Sequence, residues 1–544
     1  MRQRSALNVL ALLLVGALAT GAQAGQIQAF KNTPARPATA AHEVAKDSRE
    51  AREAREARES AESHPDTPEG RTEKTLLEAR SNQGALYALL KEMPKGGDLH
   101  NHLTGAVYAE SLVEFAAESG LCVDRASMAL AKPPCQADQE EAKDALTSNS
   151  LRSQMIDAWS MRGMRAGMDG HDHFFDTFGK FSPATDPHIG NILAEVVRRA
   201  ADSNVQYLEL MYSFDRGRAA ALGLQAGYEA DLAALRQKIL NQDFADAVAE
   251  ARKNLDSMEQ ARLQQLNCRS TPEAHGGACA VHVRYIYSIS RSKKPEQVFA
   301  QMLMGFELSK ADPRVVSLNL VEPEDWRVPM EDYDLHMRML AFLRPLYPDV
   351  KLTMHAGELR PGLVPPDGMR FHIREAVEVA KVERVGHGVD VMYEENPHEL
   401  LAEMAKRNVM VEICLTSNDG ILGVKGKQHP LAMYLKAGVP VALATDDEGV
   451  ARSEITREYE RAVLDQGLDY VTLKKMARTS LEHAFLPGLS LWSDVHKFTP
   501  VKECSGEKLG GLASHDCQKF LSGSEKAREE WRLEHRFSDF EAKF

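Results

Sequence analysis

Positive charge, long apolar runs and closely spaced cysteines are all scarce in this 544-residue chain. Its 66 lysines and arginines face 79 aspartates and glutamates, a formal net charge of -13. So acidic a body repels polyanions, which sets nucleic acid aside as a partner. A single stretch, Ala6 to about Leu18, is apolar enough to engage a membrane, and it is too short to span one comfortably. No C-x-x-C pair occurs, which argues against a zinc–cysteine site. Low-complexity sequence is confined to the first 75 residues. The remainder, in a chain with 43% hydrophobic residues, is an enzyme-sized folded body rather than a small binding module.

The apolar run follows Arg2 and Arg4 and precedes Ala22-Gln23-Ala24, the layout of a cleavable export signal over residues 1–24. An uncleaved anchor is the competing reading. Loss of the two arginines takes the formal charge from -13 to -15. Export places the protein in the periplasm or outside the cell, and the cysteines agree. Cys122 with Cys135, Cys268 with Cys279 and Cys504 with Cys517 are local couples in polar connecting sequence, while Cys414 stands alone in an apolar run. Three local disulfides and one buried thiol is the simplest pairing; seven reduced thiols is the alternative. Residues 25–75 read as a charged tether, disordered or helical, because the triplets Arg49-Glu50-Ala51, Arg52-Glu53-Ala54 and Arg55-Glu56-Ala57 carry no apolar stripe to bury.

Beyond Thr75 a short β-rich run, a loop and a longer helical segment recur. Eight runs qualify as strands: 97–102, 205–212, 281–287, 315–321, 351–355, 384–387, 409–415 and 439–445. Parallel strands alternating with helices predict an α/β fold, a (β/α)8 TIM barrel over residues 76–495 with its catalytic groups at the C-terminal strand ends. Extra helices fill the long gaps after the first and second strands, including 150–181 and 225–266. Residues 496–544 form a C-terminal extension ending in a charged helix.

Chemistry-bearing residues fall at those strand ends. His100 and His102 lie one residue apart, so on a strand both face one side and can reach one ion. His171 and His173 share that spacing but lie in a helical, aromatic stretch with Phe174, Phe175, Phe178 and Phe181, where alternate residues diverge. That stretch reads as a lid or apolar wall. His355 ends the fifth strand and Asp446 the eighth, completing a nitrogen-rich set with one carboxylate that suits one zinc ion per subunit. No strand-end lysine offers to bridge a second metal. Glu358 sits far enough round its turn to face a substrate as a proton donor, and His387, framed by Gly386 and Gly388, can hold or deprotonate an attacking water. Asp447 points away from the metal and can accept a hydrogen bond. Together these residues predict a metal-dependent hydrolase that attacks an aromatic amidine carbon.

Five motifs in order, H-x-H at 100–102, H-A-G-E at 355–358, R-V-G-H-G at 384–388, T-S-N at 416–418 and T-D-D at 445–447, make the chain resemble the adenosine deaminase family from Met93 to His483. The likeness is greater to its secreted branch, the adenosine deaminase-related growth factors and similar bacterial exported proteins. The resemblance implies zinc held by His100, His102, His355 and Asp446, with Glu358 protonating purine N1. It further implies His387 acting on the zinc-bound water, Asp447 meeting N7, and hydroxide adding at C6 to turn adenosine or 2′-deoxyadenosine into inosine or 2′-deoxyinosine plus ammonia.

Two departures bear on the substrate. Thr104 stands where family members often carry an aspartate that meets the ribose 5′-hydroxyl, and Glu322 stands near a glycine whose backbone N–H meets N3. Both are expected to touch the substrate. Another aminopurine or heterocycle as substrate, or a growth-factor-like binding protein on the same scaffold, are the competing readings. The expected ligand is a small purine nucleoside, with no membrane association after signal cleavage; a dimer is compatible with the sequence.

Overall fold

Tyr207–Tyr212 and Val315–Val321 are apolar along almost their whole length, the pattern of strands buried on both faces. In the computed structural model, which describes residues 66–165, 167–268 and 276–544, they belong to a ring of eight parallel strands. These are β1 Gly97–His102, β2 Tyr207–Tyr212, β3 His282–Ser290, β4 Val315–Val321, β5 Thr353–Ala356, β6 Arg384–His387, β7 Met410–Ile413 and β8 Val441–Leu443. One sheet runs β1-β2-β3-β4 and the other β5-β6-β7-β8, every pairing parallel. The ring closes where Asp446, just past β8, bridges Asn101: the Asp446 N–H donates to the His100 carbonyl at 2.8 Å and the His102 N–H to the Asp446 carbonyl at 3.2 Å. At the other seam side chains join β4 to β5, Ser317 Oγ donating to the Lys351 carbonyl and the His355 N–H to Asn319 Oδ1, both at 2.9 Å. All eight expected strands are present, with ends shifted by up to a few residues.

The barrel interior is polar at one level. Arg384 lies between Glu209 and Glu412, 2.6 Å from each, and all three side chains are fully buried. Burial opposes charge on Glu412, but the Arg384 guanidinium and the His100 bond outweigh it and hold the carboxyl at about 2. A carboxylate thus stays ionised directly beneath the strand ends.

Between β1 and β2 come Ala109–Glu118, Asn149–Ala158, Gly170–Phe181 and Ile189–Asp202, so the expected helix over 150–181 is broken around 159–169. A small antiparallel sheet of Leu130–Ala131, Cys122–Asp124 and Gln139–Glu141 sits in the same insertion, where sequence offered only connecting loop. Its strands are two or three residues long, too short for periodicity to register. After β2 the helical region divides into Arg218–Ala226, Leu232–Leu240 and Phe244–Gln265. Cys122–Cys135, Cys268–Cys279 and Cys504–Cys517 are bonded, and Cys414 is free and buried.

The signal segment and most of the tether, residues 1–65, lie outside the described residues. The end of the expected tether differs from its reading: Pro68–Ala79 is a helix, capped by Thr67 and burying Thr72 and Leu76. Its apolar face is a single leucine, too little for a pattern to show. At the far end Glu525–Glu541 packs on the barrel, with Glu534 bound to Arg478 at 2.7 Å and Glu541 to Lys474 at 2.5 Å. Arg71 Nε donates to the carbonyl of Phe544 at 2.8 Å, so the first and last segments of the described body touch. No described helix is long and apolar enough to cross a membrane.

Candidate active site

His100 and His102, alternate residues of β1, meet His355 from the end of β5. The Nε2 of His355 lies 3.1 Å from that of His100 and 3.2 Å from that of His102. Asp446 Oδ1 lies 3.3 Å from His102 Nε2 and 3.6 Å from His100 Nε2. Four tetrahedral ligands about 2.0–2.1 Å from one ion are separated by about 3.3–3.4 Å, close to this spacing. Proton placement favours a cation too. His100 Nδ1 donates to Glu412 Oε2 at 2.6 Å and His355 Nδ1 donates to Asn319 Oδ1 at 2.9 Å, which turns the Nε2 lone pairs of both rings toward the same point. Burial lowers His102 to about 4 and His355 well below the imidazole range, which favours the neutral rings a cation needs. Asp446 is held ionised: burial is outweighed by the bond from His100 and the neighbouring rings.

Local backbone supports this convergence. Asp446 and His387 both sit at positive φ, 60° and 67°, rarely adopted by residues with a side chain and found where a site over-determines the chain. Ser417 Oγ fixes the second Asp446 oxygen at 2.6 Å. Gly386 gives His100 its room: a Cβ there would lie 2.6 Å from the His100 ring.

Glu358 follows at the turn after β5, buried, with Oε1 free of any protein partner. Burial, then the negative charges of Asp446 and Glu324, push its carboxyl well above the ordinary range, which favours the neutral, proton-donating form. Asp447 is likewise buried and raised, first by burial and then by Asp446, and its Oδ1 has no protein partner. A carboxyl shifted toward its neutral form can donate a hydrogen bond as well as accept one. His387 places Nδ1 3.7 Å from Glu358 Oε1.

These groups open onto a cavity of about 640 Å³ that His102, Thr104, Glu322, His355, Glu358, Asp446 and Asp447 help to line. Its apolar wall includes Phe174, Phe175 and Phe178 of the Gly170–Phe181 helix, together with Trp326. Phe181 is buried beneath that helix rather than facing the cavity. As the spacing argument required, His171 and His173 diverge: His171 Nε2 reaches Asp325 at 2.9 Å and His173 Nε2 the Ser160 carbonyl at 3.1 Å. Glu322 has φ 78°, the glycine-like conformation its position implies, but its carboxylate folds back to accept the Ser292 N–H at 2.8 Å.

Sequence reasoning missed the supports. Glu412, which sets the proton position on His100, is the one polar residue of an apolar strand, and that isolation was the available signal; Asn319, which sets that on His355, shares its strand with Ser317 and was not so marked. Glu324 left no such mark.

The sequence model of the adenosine deaminase family matches residues 173–490, more than half of the chain. Adenosine deaminase of Clostridium perfringens (strain ATCC 13124) is 32% identical over 136 residues, 25% of this chain and 38% of that protein. Aminodeoxyfutalosine deaminase of Streptomyces coelicolor is 34% identical over 123 residues, 22% of this chain and 31% of its own. The matched stretch therefore spans less than half of these curated relatives. Among solved structures, an Arabidopsis N6-mAMP deaminase is 20% identical, covering 73% of this chain and 95% of its own at a TM-score of 0.48.

Proposed function

The chain belongs to the adenosine deaminase family, and from that premise we propose that it hydrolytically deaminates adenosine and 2′-deoxyadenosine to inosine and 2′-deoxyinosine, with zinc as its metal. The observation that carries this reading is the convergence of four metal-ligating atoms beside a cavity whose lining includes a buried acid with a raised pKa. His100, His102, His355 and Asp446 would hold the ion. When bound, it lowers the pKa of a water from about 16 to about 7, making a nucleophile available at neutral pH.

Glu358, protonated, donates to N1 and so makes C6 electrophilic. Asp447, also protonated, donates to N7, an acceptor in every adenine. His387 bears on the attacking water. Addition at C6 and transfer of a proton to the amino group release ammonia and leave the 6-oxopurine. Phe174, Phe175, Phe178 and Trp326 would exclude bulk water, and Thr104 offers a neutral hydroxyl to the sugar. With Glu322 folded onto Ser292, its backbone rather than its carboxylate is left for the base.

A second reading, another aminopurine nucleoside with extra bulk beyond the base, is favoured by the size of the cavity and by the neutral Thr104. Export through residues 1–24 to the periplasm or beyond is part of the proposal, supported by the three disulfides.

Turnover of adenosine by the zinc-loaded protein, read as loss of adenine absorbance, tests the assignment. Conversion to inosine that collapses in Glu358→Gln is expected. Absence of turnover with zinc bound would overturn adenosine as substrate and leave the second reading.

A further inference from the structure

The T-S-N motif enters the site through its asparagine. Asn418 Nδ2 lies 3.0 Å from His387 Nδ1, and Asn418 Oδ1 lies 3.0 Å from His429 Nε2. The direction of this chain of bonds is fixed at its far end, where the backbone N–H of Leu431 donates to His429 Nδ1 at 3.2 Å. A backbone N–H can only donate, so His429 Nδ1 is the acceptor and its hydrogen sits on Nε2. Nε2–H then donates to the Asn418 carbonyl, and the Asn418 amide presents N–H to His387 Nδ1. An Nδ1 that accepts a hydrogen bond carries no proton, so the His387 hydrogen is on Nε2, an atom that is buried and has no protein partner. His387, Asn418 and His429 are at most 2% exposed, which leaves little room for water to reverse the order.

We propose that Asn418 and His429 are positioning residues that lock His387 as a hydrogen-bond donor, Nε2–H toward the attacking oxygen, so that His387 orients the nucleophile rather than deprotonating it. The role for the attacking oxygen rests on the deaminase reading; the tautomer does not.

The same logic divides three of the clustered histidines into two kinds. His100 and His355 face acceptors at Nδ1, a glutamate and an asparagine carbonyl, and therefore turn bare Nε2 lone pairs inward. His387 faces a donor at Nδ1 and turns a hydrogen inward. One of its ring nitrogens lies within 4.8 Å of ligand atoms of His100, His355 and Asp446, yet with hydrogen on Nε2 and Nδ1 engaged by Asn418 neither nitrogen is free to ligate an ion. The second-neighbour amide thus keeps a close imidazole out of the metal's coordination and available to substrate chemistry.

The test reads the ring directly. In the zinc-loaded protein with 15N-labelled histidine, His387 being assigned by its loss in His387→Gln, the expected spectrum has an unprotonated Nδ1 and a protonated Nε2. A protonated Nδ1, or an Nε2 bound to metal, overturns the proposal. Asn418→Asp places a carboxylate at the same point, which requires Nδ1–H. It is expected to invert the ring pattern and lower kcat at least about 100-fold, as a mis-set catalytic imidazole does, with zinc content and KM little changed. An unaltered kcat with the pattern inverted also overturns it. If that variant does not fold, the wild-type spectrum still decides. Wild-type protein that leaves adenosine untouched would sink the adenosine reading while the ring spectrum continued to judge the tautomer.

Discussion

The carboxylate of Glu324 accepts the backbone N–H of Glu358 at 2.9 Å, and with its other oxygen that of Gly357 at 3.0 Å. His372 Nδ1 donates to the same group. Burial alone would raise the Glu324 carboxyl, but the charge and bond of His372, with Arg291 beside it, hold it at about 2. The direction in which the proposed acid leaves its turn is thus dictated from the loop after β4. The residues around Glu324 act on other neighbours: Glu322 holds Ser292 at the end of the β3 segment, and Asp325 holds His171.

Glu324→Gln keeps one acceptor and sets a donor against the other N–H. The expected result is a fall in kcat of about 10- to 100-fold, the scale of a catalytic group displaced by a fraction of an ångström to an ångström. Metal content should hold, since no ligand is touched; wild-type kcat in the variant would dismiss the role.

Removal of metal should cost stability as well as activity. An ion present at about 100 times its dissociation constant adds about 2.7 kcal/mol to folding. Chelation should therefore lower Tm in a thermal melt, zinc should restore it, and His355→Ala should show neither response.

The His171–Asp325 contact predicts a pH dependence. Burial opposes a charged ring, but the bonds to Asp325 and Asp172 raise His171 to about 9. A folded-state value above the unfolded value of about 6.5 means the contribution is complete below that pH and is lost as pH rises through about 9. Wild type should exceed His171→Gln in Tm at pH 6, and the two should converge by pH 10. A constant gap would show that the contact does not depend on charge.

Lys95 is buried, its Nζ donating to the carbonyls of Leu90 at 2.5 Å, Met93 at 2.9 Å and Ser203 at 2.8 Å. Lys95→Met fills the space and leaves three carbonyls without their donor. A loss of about 3 kcal/mol in denaturant unfolding is expected, with the site itself unchanged.

The strands and the reactive groups were readable because each announces itself locally: apolar runs of four to eight residues, and histidines or acids at their ends. His100 and His102 needed only the two-residue period of a strand, and the aromatic spacing of Phe174, Phe175 and Phe178 was enough to mark a wall. Glu324, Asn319 and His429 were not readable, since each acts on a residue distant in the chain through a bond that exists only once the barrel has closed. The small sheet around Cys122 was hidden for another reason, its strands being shorter than one period of any pattern. Asn418 was visible as a motif letter, but the direction of its bonds depends on the backbone of Leu431, which sequence does not orient.

The bond from Arg71 to Phe544 has a topological consequence. A closed ring of strands whose outer segments also meet has no privileged point at which the described body must begin. New ends cut into an exposed connection, with a short linker across the old ones, would leave all the strand pairings and the strand-end groups in place. The point at which the motifs start along the chain is therefore separable from their order around the barrel, and it is the latter that brings the site together.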